Sequence, residues 1–343
     1  MAERTLTKRA LNRALLARQL LLERANLSIE DAVEQVGGLQ TQYAPSGYVG
    51  LWTRLTTFER ESLTRALEDR TVVQATLMRT TIHIVSRREF WRYAAGVRQA
   101  RRAWALRIAG SKVDEPAMVK AAERIRAALA DGPKSVKELG EIGAGFVGSL
   151  GLWVDLVRLP PSGTWERRRA DRLGLADDWV GPCDATEEEG LAHLVRAHLR
   201  AFGPAPWRDI ASWAGISVAD ARRGGGGLTL VGYRDESGRD LVDLPDAPLP
   251  DPDTPAPVRF LPHWDAALLV HARRTGLLPE EHRPRVFGSR NPFSVGTYLV
   301  DGRVVGAWSL RDGRIALEPF EELSTADRRA VEREREALEA FHA

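Results

Sequence analysis

The chain of 343 residues is poor in cysteine: Cys183 stands alone. A single thiol cannot form an intramolecular disulfide, and zinc sites built on pairs of cysteines are excluded with it. A reducing, cytoplasmic setting is the expectation. Histidine is also sparse, seven in all, and His193 and His198 are five apart, off a common helical face. No metal centre and no cofactor are expected. Long apolar runs are missing: no stretch approaches the roughly 18 apolar residues of a membrane span. Met1-Ala2-Glu3-Arg4 lacks the apolar segment of a signal peptide. The Walker loop, HExxH, GxSxG and CxxC signatures are absent. Net charge is low as well, only +2, which as an average speaks against a nucleic-acid partner.

That average hides a gradient. Residues 1–110 carry 18 Lys and Arg against 10 Asp and Glu, and the rest of the chain 31 against 37. Nearly all of the N-terminal positive charge is arginine, whose planar fork suits phosphate; arginines on solvated helix faces would give the same excess.

Periodicity predicts a helix from Leu6 to Ala25, a second capped by Ser28 and ended by Gly37-Gly38, and two more near Ser46–Leu55 and Glu61–Glu68. Thr71 to Ser86 alternates like a pair of short strands. The order recurs. Asp131–Leu139 aligns without gaps on Phe202–Ile210, each a Gly-Pro step between a long helix (Pro116–Ala130, Glu187–Phe202) and a short one. Helices Phe146–Val157 and Val218–Arg223 follow, then candidate wings at Leu159–Val180 and Leu228–Leu244. The expected fold is α+β: tandem winged-helix (helix-turn-helix) units over 1–110, 111–184 and 185–244, a proline-rich linker over 245–262, and a small antiparallel β-domain over 263–343. Asp301-Gly302 and Asp312-Gly313 read there as hairpin turns, and Ser324 as the cap of a final charged helix. The four glycines Gly224–Gly227 read as a flexible connection.

The candidate chemistry is an amide pair. Gly37-Gly38-Leu39-Gln40-Thr41-Gln42-Tyr43-Ala44-Pro45 sets two glutamines two apart between a helix end and a proline. Each amide donates and accepts, so the pair can hold a water or a base edge, but neither is a strong general base. Loop glutamines satisfying backbone groups fit the same spacing. Arg87, Arg88, Arg98, Arg101 and Arg102, interleaved with Phe90, Trp91, Tyr93 and Trp104, form a candidate phosphate-tracking helix; its alternative is a helix that buries its aromatics and solvates its arginines. Arg167, Arg168, Arg169 and Arg172 are a second basic candidate.

The segments Gly38-Leu39-Gln40-Thr41-Gln42-Tyr43-Ala44-Pro45, Tyr48–Trp52, Arg79-Thr80-Thr81-Ile82-His83, Phe260-Leu261-Pro262-His263-Trp264-Asp265 and Val300–Trp308 together resemble the bacterial winged-helix DNA glycosylases of the AlkZ type, the family of the azinomycin self-resistance enzyme. The resemblance covers nearly the whole chain. It implies tandem winged helices in a C-shape whose concave face holds DNA, and a Gln-x-Gln motif that carries base excision, falling here on Gln40 and Gln42. Thr41 departs from the family's aliphatic middle residue; Gln42 sides with the azinomycin-type branch rather than the one with Asp there. The implied activity is hydrolysis of the N-glycosidic bond of N7-alkylated purines and the unhooking of interstrand crosslinks as toxin self-resistance, by a monomer on double-stranded DNA, away from any membrane. Candidate DNA contacts are Arg79, His83, Arg87, Arg88, Arg98, Arg101, Arg102 and Arg303, the last on a hairpin placed to probe a groove. The rival readings are a non-catalytic winged-helix DNA-binding protein or transcriptional regulator, and a scaffold whose β-domain meets another protein.

Overall fold

In the computed structural model, which describes residues 4–110, 114–142, 152–269, 276–287 and 294–343, strand β1 (Thr5–Leu6) leads into α1 (Lys8–Arg18). The leucine stripe predicted a helix to Ala25, yet it stops at Arg18 because Leu20 takes a left-handed φ of 56°, a conformation that ends an α-helix. Then come α2 (Ile29–Gln35), β2 (Leu39–Gln40), α3 (Pro45–Trp52), α4 (Arg60–Glu68), β3 (Val72–Thr76), β4 (Ile82–Ser86) and the long α5 (Phe90–Ala109). The Ser28 side chain accepts from Asp31 N and caps α2 as predicted. Gly37 and Gly38, at φ 75° and 83°, turn the chain out of that helix into β2.

The next stretch holds α6 (Glu115–Leu129), β5 (Lys134–Ser135), α7 (Val136–Ile142), β6 (Leu156–Arg158), β7 (Arg172–Leu175) and α8 (Ala176–Trp179). The helix predicted over Phe146–Val157 lies outside the described residues up to position 151, and its last residues are strand: Val157 pairs with Ala75 and Gly174. A third stretch follows the predicted order with α9 (Glu187–Phe202), α10 (Trp207–Ala214), α11 (Val218–Gly225), β8 (Val231–Asp235) and β9 (Asp240–Asp243).

Strand pairing joins what the repeat suggested were separate units. One six-stranded sheet runs β2-β4-β3-β6-β7-β5, so the hairpins of the first two stretches are continuous through Gln74↔Arg158 and Ala75↔Val157. β1 pairs in parallel with β8, tying the N-terminus to the third stretch. One core also spans all of them, with Leu15, Val73, Phe90, Val157, Leu191, Trp213, Leu261 and Leu299 in a single cluster.

The C-terminal sheet runs β10 (Arg259–Leu261), β11 (Gly296–Val300), β12 (Arg303–Arg311), β13 (Arg314–Pro319), with α12 (Arg283–Val286) between β10 and β11 and α13 (Thr325–His342) after β13. The expected linker therefore ends before Arg259: past Pro257 the segment Val258–Leu261 is apolar enough to pair with Thr297–Leu299. Asp301-Gly302 and Asp312-Gly313 each have positive φ at both residues, the geometry of a type I′ hairpin turn.

Two close approaches fix helix packing. α5 crosses α9 at Gly96 and Gly190, where a Cβ on Gly96 would lie 2.6 Å from the Gly190 backbone. The first half of the four-glycine run is a packing device rather than a flexible connection: Gly224 and Gly225 are in the last turn of α11, with a Cβ on Gly224 falling 2.5 Å from the Leu191 carbonyl oxygen and one on Gly225 2.2 Å from the Trp207 ring. Gly96→Leu is expected to force the two helices apart and cost at least about 2 kcal/mol, the scale of core overpacking; denaturant unfolding that shows no loss would contradict the crossing.

Candidate active site

The glutamines sit where β2 hands over to α3. Gln40 lies directly opposite His83 across the β2–β4 pair, and His83 lies opposite Ala75, so their side chains share one face of the sheet. Gln40 is buried and its Oε1 accepts from Arg79 Nη2 at 2.7 Å. Gln42 is exposed, and its Oε1 accepts from the Ile82 backbone N–H at 3.2 Å. Each carbonyl thus has one lone pair engaged, leaving its second lone pair and its NH2. Thr41, between them, points into the core, where its Oγ1 accepts from Gln74 Nε2 at 3.0 Å. That bond explains a threonine where the resemblance expects an aliphatic residue. Gln74 was missed by sequence reasoning; its signal is a lone polar side chain within the apolar alternation of Val72–Thr76.

Arg79 is set by strain. Between β3 and β4 both Arg79 and Thr80 take left-handed φ, 52° and 59°, a conformation that costs a non-glycine residue on the order of 1 kcal/mol each. The turn aims the guanidinium inward, where Nη1 donates to the Trp213 carbonyl at the end of α10 and Nη2 to Gln40. Burial holds its pKa down, to about 10. Arg79, expected to touch DNA, makes hydrogen bonds within the protein, to the Trp213 carbonyl and Gln40.

His83 is buried and its Nδ1 lies 3.0 Å from the Thr81 carbonyl, so Nδ1 carries the proton. Burial first, then the Arg79 charge, pushes its pKa down to about 3, and burial does the same to His193 on α9. A histidine kept neutral binds fewer protons folded than unfolded below its ordinary 6.5, so its contribution is complete above pH 6.5 and is lost as pH falls toward 3. We expect each to remove about 1.4 kcal/mol per pH unit in that window; unchanged stability between pH 7 and pH 5 by denaturant unfolding would contradict neutral histidines.

Most arginines of the basic third serve the fold. Arg13, Arg18 and Arg54 are wholly buried: Arg18 makes two 2.7 Å bonds to Asp243, Arg54 two 2.9 Å bonds to Asp265, and Arg13 pairs with Asp301. The predicted phosphate-tracking helix behaves alike. Arg87 donates to the Val180 carbonyl, Arg88 to Asp31 and Glu34, Arg98 to Asp155, and Arg102 to the Leu152 carbonyl. Arg101 is buried, with Nε and Nη2 unpaired and its pKa lowered by burial to about 10. These bonds seat α5 on the second stretch and α2, leaving Arg87 and Arg88 exposed among them. The hairpin predicted to probe a groove is docked instead: Gly302 is buried against Leu16, Asn12 and Arg13, and Arg9 and Arg13 hold Asp301, while Arg303 beside it is exposed. The hairpin that stands free is the next one, with Leu310, Arg311, Asp312, Gly313 and Arg314 all exposed.

That free hairpin borders a cavity of about 160 Å³ beside the glutamine segment, lined among others by Tyr43, Ser46, Trp165, Arg168, His263, Trp308 and Leu310. Arg168 Nη1 donates to the Tyr43 hydroxyl at 3.2 Å, and Ser46 is buried with its Oγ unpaired. Among the described residues no group of His, Cys, Asp and Glu is arranged to hold a metal ion, and no helix is long and apolar enough to cross a membrane.

A family model described as "DNA glycosylase AlkZ-like" matches residues 33–341. Among solved structures, the Streptomyces sahachiroi DNA glycosylase AlkZ superimposes with a TM-score of 0.81 at 21% identity, over 98% of this chain and 97% of that one. At that identity the likeness speaks for the fold. A comparison with curated proteins finds no match.

Proposed function

Since the chain belongs to the AlkZ-like DNA glycosylase family, we propose that it is a monofunctional glycosylase that hydrolyses the N-glycosidic bond of N7-alkylated purines in double-stranded DNA, unhooking crosslinks formed at that position, with Gln40 and Gln42 as catalytic residues. The observation that carries the reading is the pair itself: two amides at one strand–helix junction, their carbonyl oxygens held by Arg79 and Ile82 N–H and neither bonded to a carboxylate among the described residues.

An N7-alkylated purine is already a cation, so its departure needs no general acid, and the sugar passes through an oxocarbenium-like state. A positioned water suffices. Neutral amides hold such a water without being strong enough bases to attack undamaged nucleotides, which confines the chemistry to labile, charged lesions. The five lysines are Lys8, Lys112, Lys120, Lys134 and Lys137, none near Gln40 in sequence, so a Schiff-base lyase step has no evident nucleophile. Contact with the DNA backbone fits the exposed Arg168, Arg311 and Arg314 around the Tyr43 cavity better than the internally bonded arginines of α5. A monomer presents this whole arrangement.

The test is a duplex with one N7-methylguanine, scored for strand breaks with and without alkali. Breaks that need alkali are expected, because a monofunctional enzyme leaves an abasic site. Binding without breaks would favour the regulator, and breaks without alkali would overturn the monofunctional assignment.

A further inference from the structure

The two glutamines are alike in type and unlike in setting. Gln40 Oε1 accepts from a guanidinium at 2.7 Å, a charge-assisted bond. Gln42 Oε1 accepts from a neutral backbone N–H at 3.2 Å. Arg79 has no acidic partner among the described residues; its acceptors are Gln40 and the Trp213 carbonyl. Its backbone is packed as closely as its side chain is bonded, since a Cβ on Gly215 would lie 3.0 Å from Arg79 N. Strained φ at Arg79 and Thr80, held by this packing, keeps the cation on one side of Gln40.

A cation on the carbonyl oxygen does two things to an amide. It pins the flip, so the NH2 faces away from Arg79, and it draws electron density from the nitrogen, making the N–H groups better donors and the oxygen a poorer acceptor. Gln42, with no cation on it among the described residues and exposed to solvent, keeps an ordinary carbonyl lone pair for a water.

On the glycosylase reading given above, we propose that Arg79 is a positioning residue that divides the labour of the pair: Gln40 acts as a hydrogen-bond donor to the departing purine, and Gln42 as the acceptor that holds the attacking water. The C1′–N9 bond breaks with its electron pair leaving on the cationic purine, which becomes neutral. The water oxygen bonds to C1′, and its proton passes to solvent. Gln40 meets the acceptor that gains electron density as the purine leaves, its N3 lone pair. The arrangement also keeps the Arg79 charge behind the amide rather than against the developing sugar cation.

Isosteric exchange separates the roles, because a carboxylate accepts and does not donate. In single-turnover excision of N7-methylguanine, Gln42→Glu is expected to lose at least tenfold less than Gln40→Glu near neutral pH and to gain an acid limb as the new carboxyl protonates. Gln40→Glu is expected to lose about 100-fold, the scale of one removed transition-state donor, since it pairs with Arg79 and donates nothing. Arg79→Ala should lower the rate at least tenfold while affinity for unmodified duplex changes less than threefold, with Arg79→Lys recovering part of it. Equal losses in the two Glu variants, or a wild-type rate in Arg79→Ala, would overturn the proposal. If Gln40→Ala and Gln42→Ala both excise normally, the glycosylase assignment of the pair fails first; if both are impaired while the Glu variants behave alike, the division of roles alone fails.

Discussion

Replacing Gln40 or Gln42 by alanine is expected to lower single-turnover excision of N7-methylguanine by about 100-fold each, while duplex binding stays near wild type. The magnitude follows from removing one preorganised group aimed at the reacting centre. The two losses should not add: if both side chains act on one water and one departing base, the double variant should fall little below the worse single, as groups acting as a unit do. Stability should differ between the two. Gln42 is exposed, so its variant should melt near wild type. Gln40→Ala leaves Arg79 Nη2 without its glutamine acceptor and should cost about 1–3 kcal/mol, while Nη1 keeps the Trp213 carbonyl. A variant that binds DNA but does not excise is the expected signature.

The second large effect is on folding. Asp265→Ala is expected to destabilise the protein by about 3–5 kcal/mol, because it leaves the Arg54 guanidinium buried without its carboxylate. Both partners are almost completely buried, joined by two 2.9 Å bonds, and Arg54 also donates to the Gly50 carbonyl and to Gln19 Oε1. The pair bolts α3, the helix that begins just after Gln42, to the segment following β10. Asp243→Ala, which strands Arg18 next to α9, should act alike, and the two sites share no partner, so their losses should add. A loss under about 1 kcal/mol in urea unfolding would mean that these arginines are hydrated and the pairs unimportant.

These pairs also explain what the sequence could and could not disclose. Ser28 and Ser324 capped their helices as read, and both Asp-Gly turns formed, because caps and tight turns are decided within four residues. The Arg-rich N-terminal third pointed toward phosphate, yet Arg18 and Asp243, or Arg54 and Asp265, are more than 200 positions apart, and nothing local marks an arginine as destined for a buried carboxylate. The recurring element order implied tandem units. The first two merge into one sheet where β3 meets β6, a pairing of strands about 80 positions apart that neither sequence marks locally. Likewise α1 ended early because Leu20 turns left-handed, which an apolar stripe does not announce.

The site was legible in part. The polar pair stood out against its apolar surroundings, and the family resemblance gave it a role, but the partners that orient it did not stand out. Arg79 lies 39 residues from Gln40 in a turn whose strain has no sequence signature. The hairpin at Asp301 carried the right turn residues for a probe, but its tip is buried on α1, and the equally plausible turn at Asp312 is the exposed one.

The account's central claim is that two neutral amides release a cationic purine and spare neutral bases. Its most direct test is mass-spectrometric identification of the free base released by the wild-type protein from a duplex carrying one N7-methylguanine and one uracil, with a chelator present. The account predicts free N7-methylguanine and no uracil; release of uracil, or of no base at all, would contradict it.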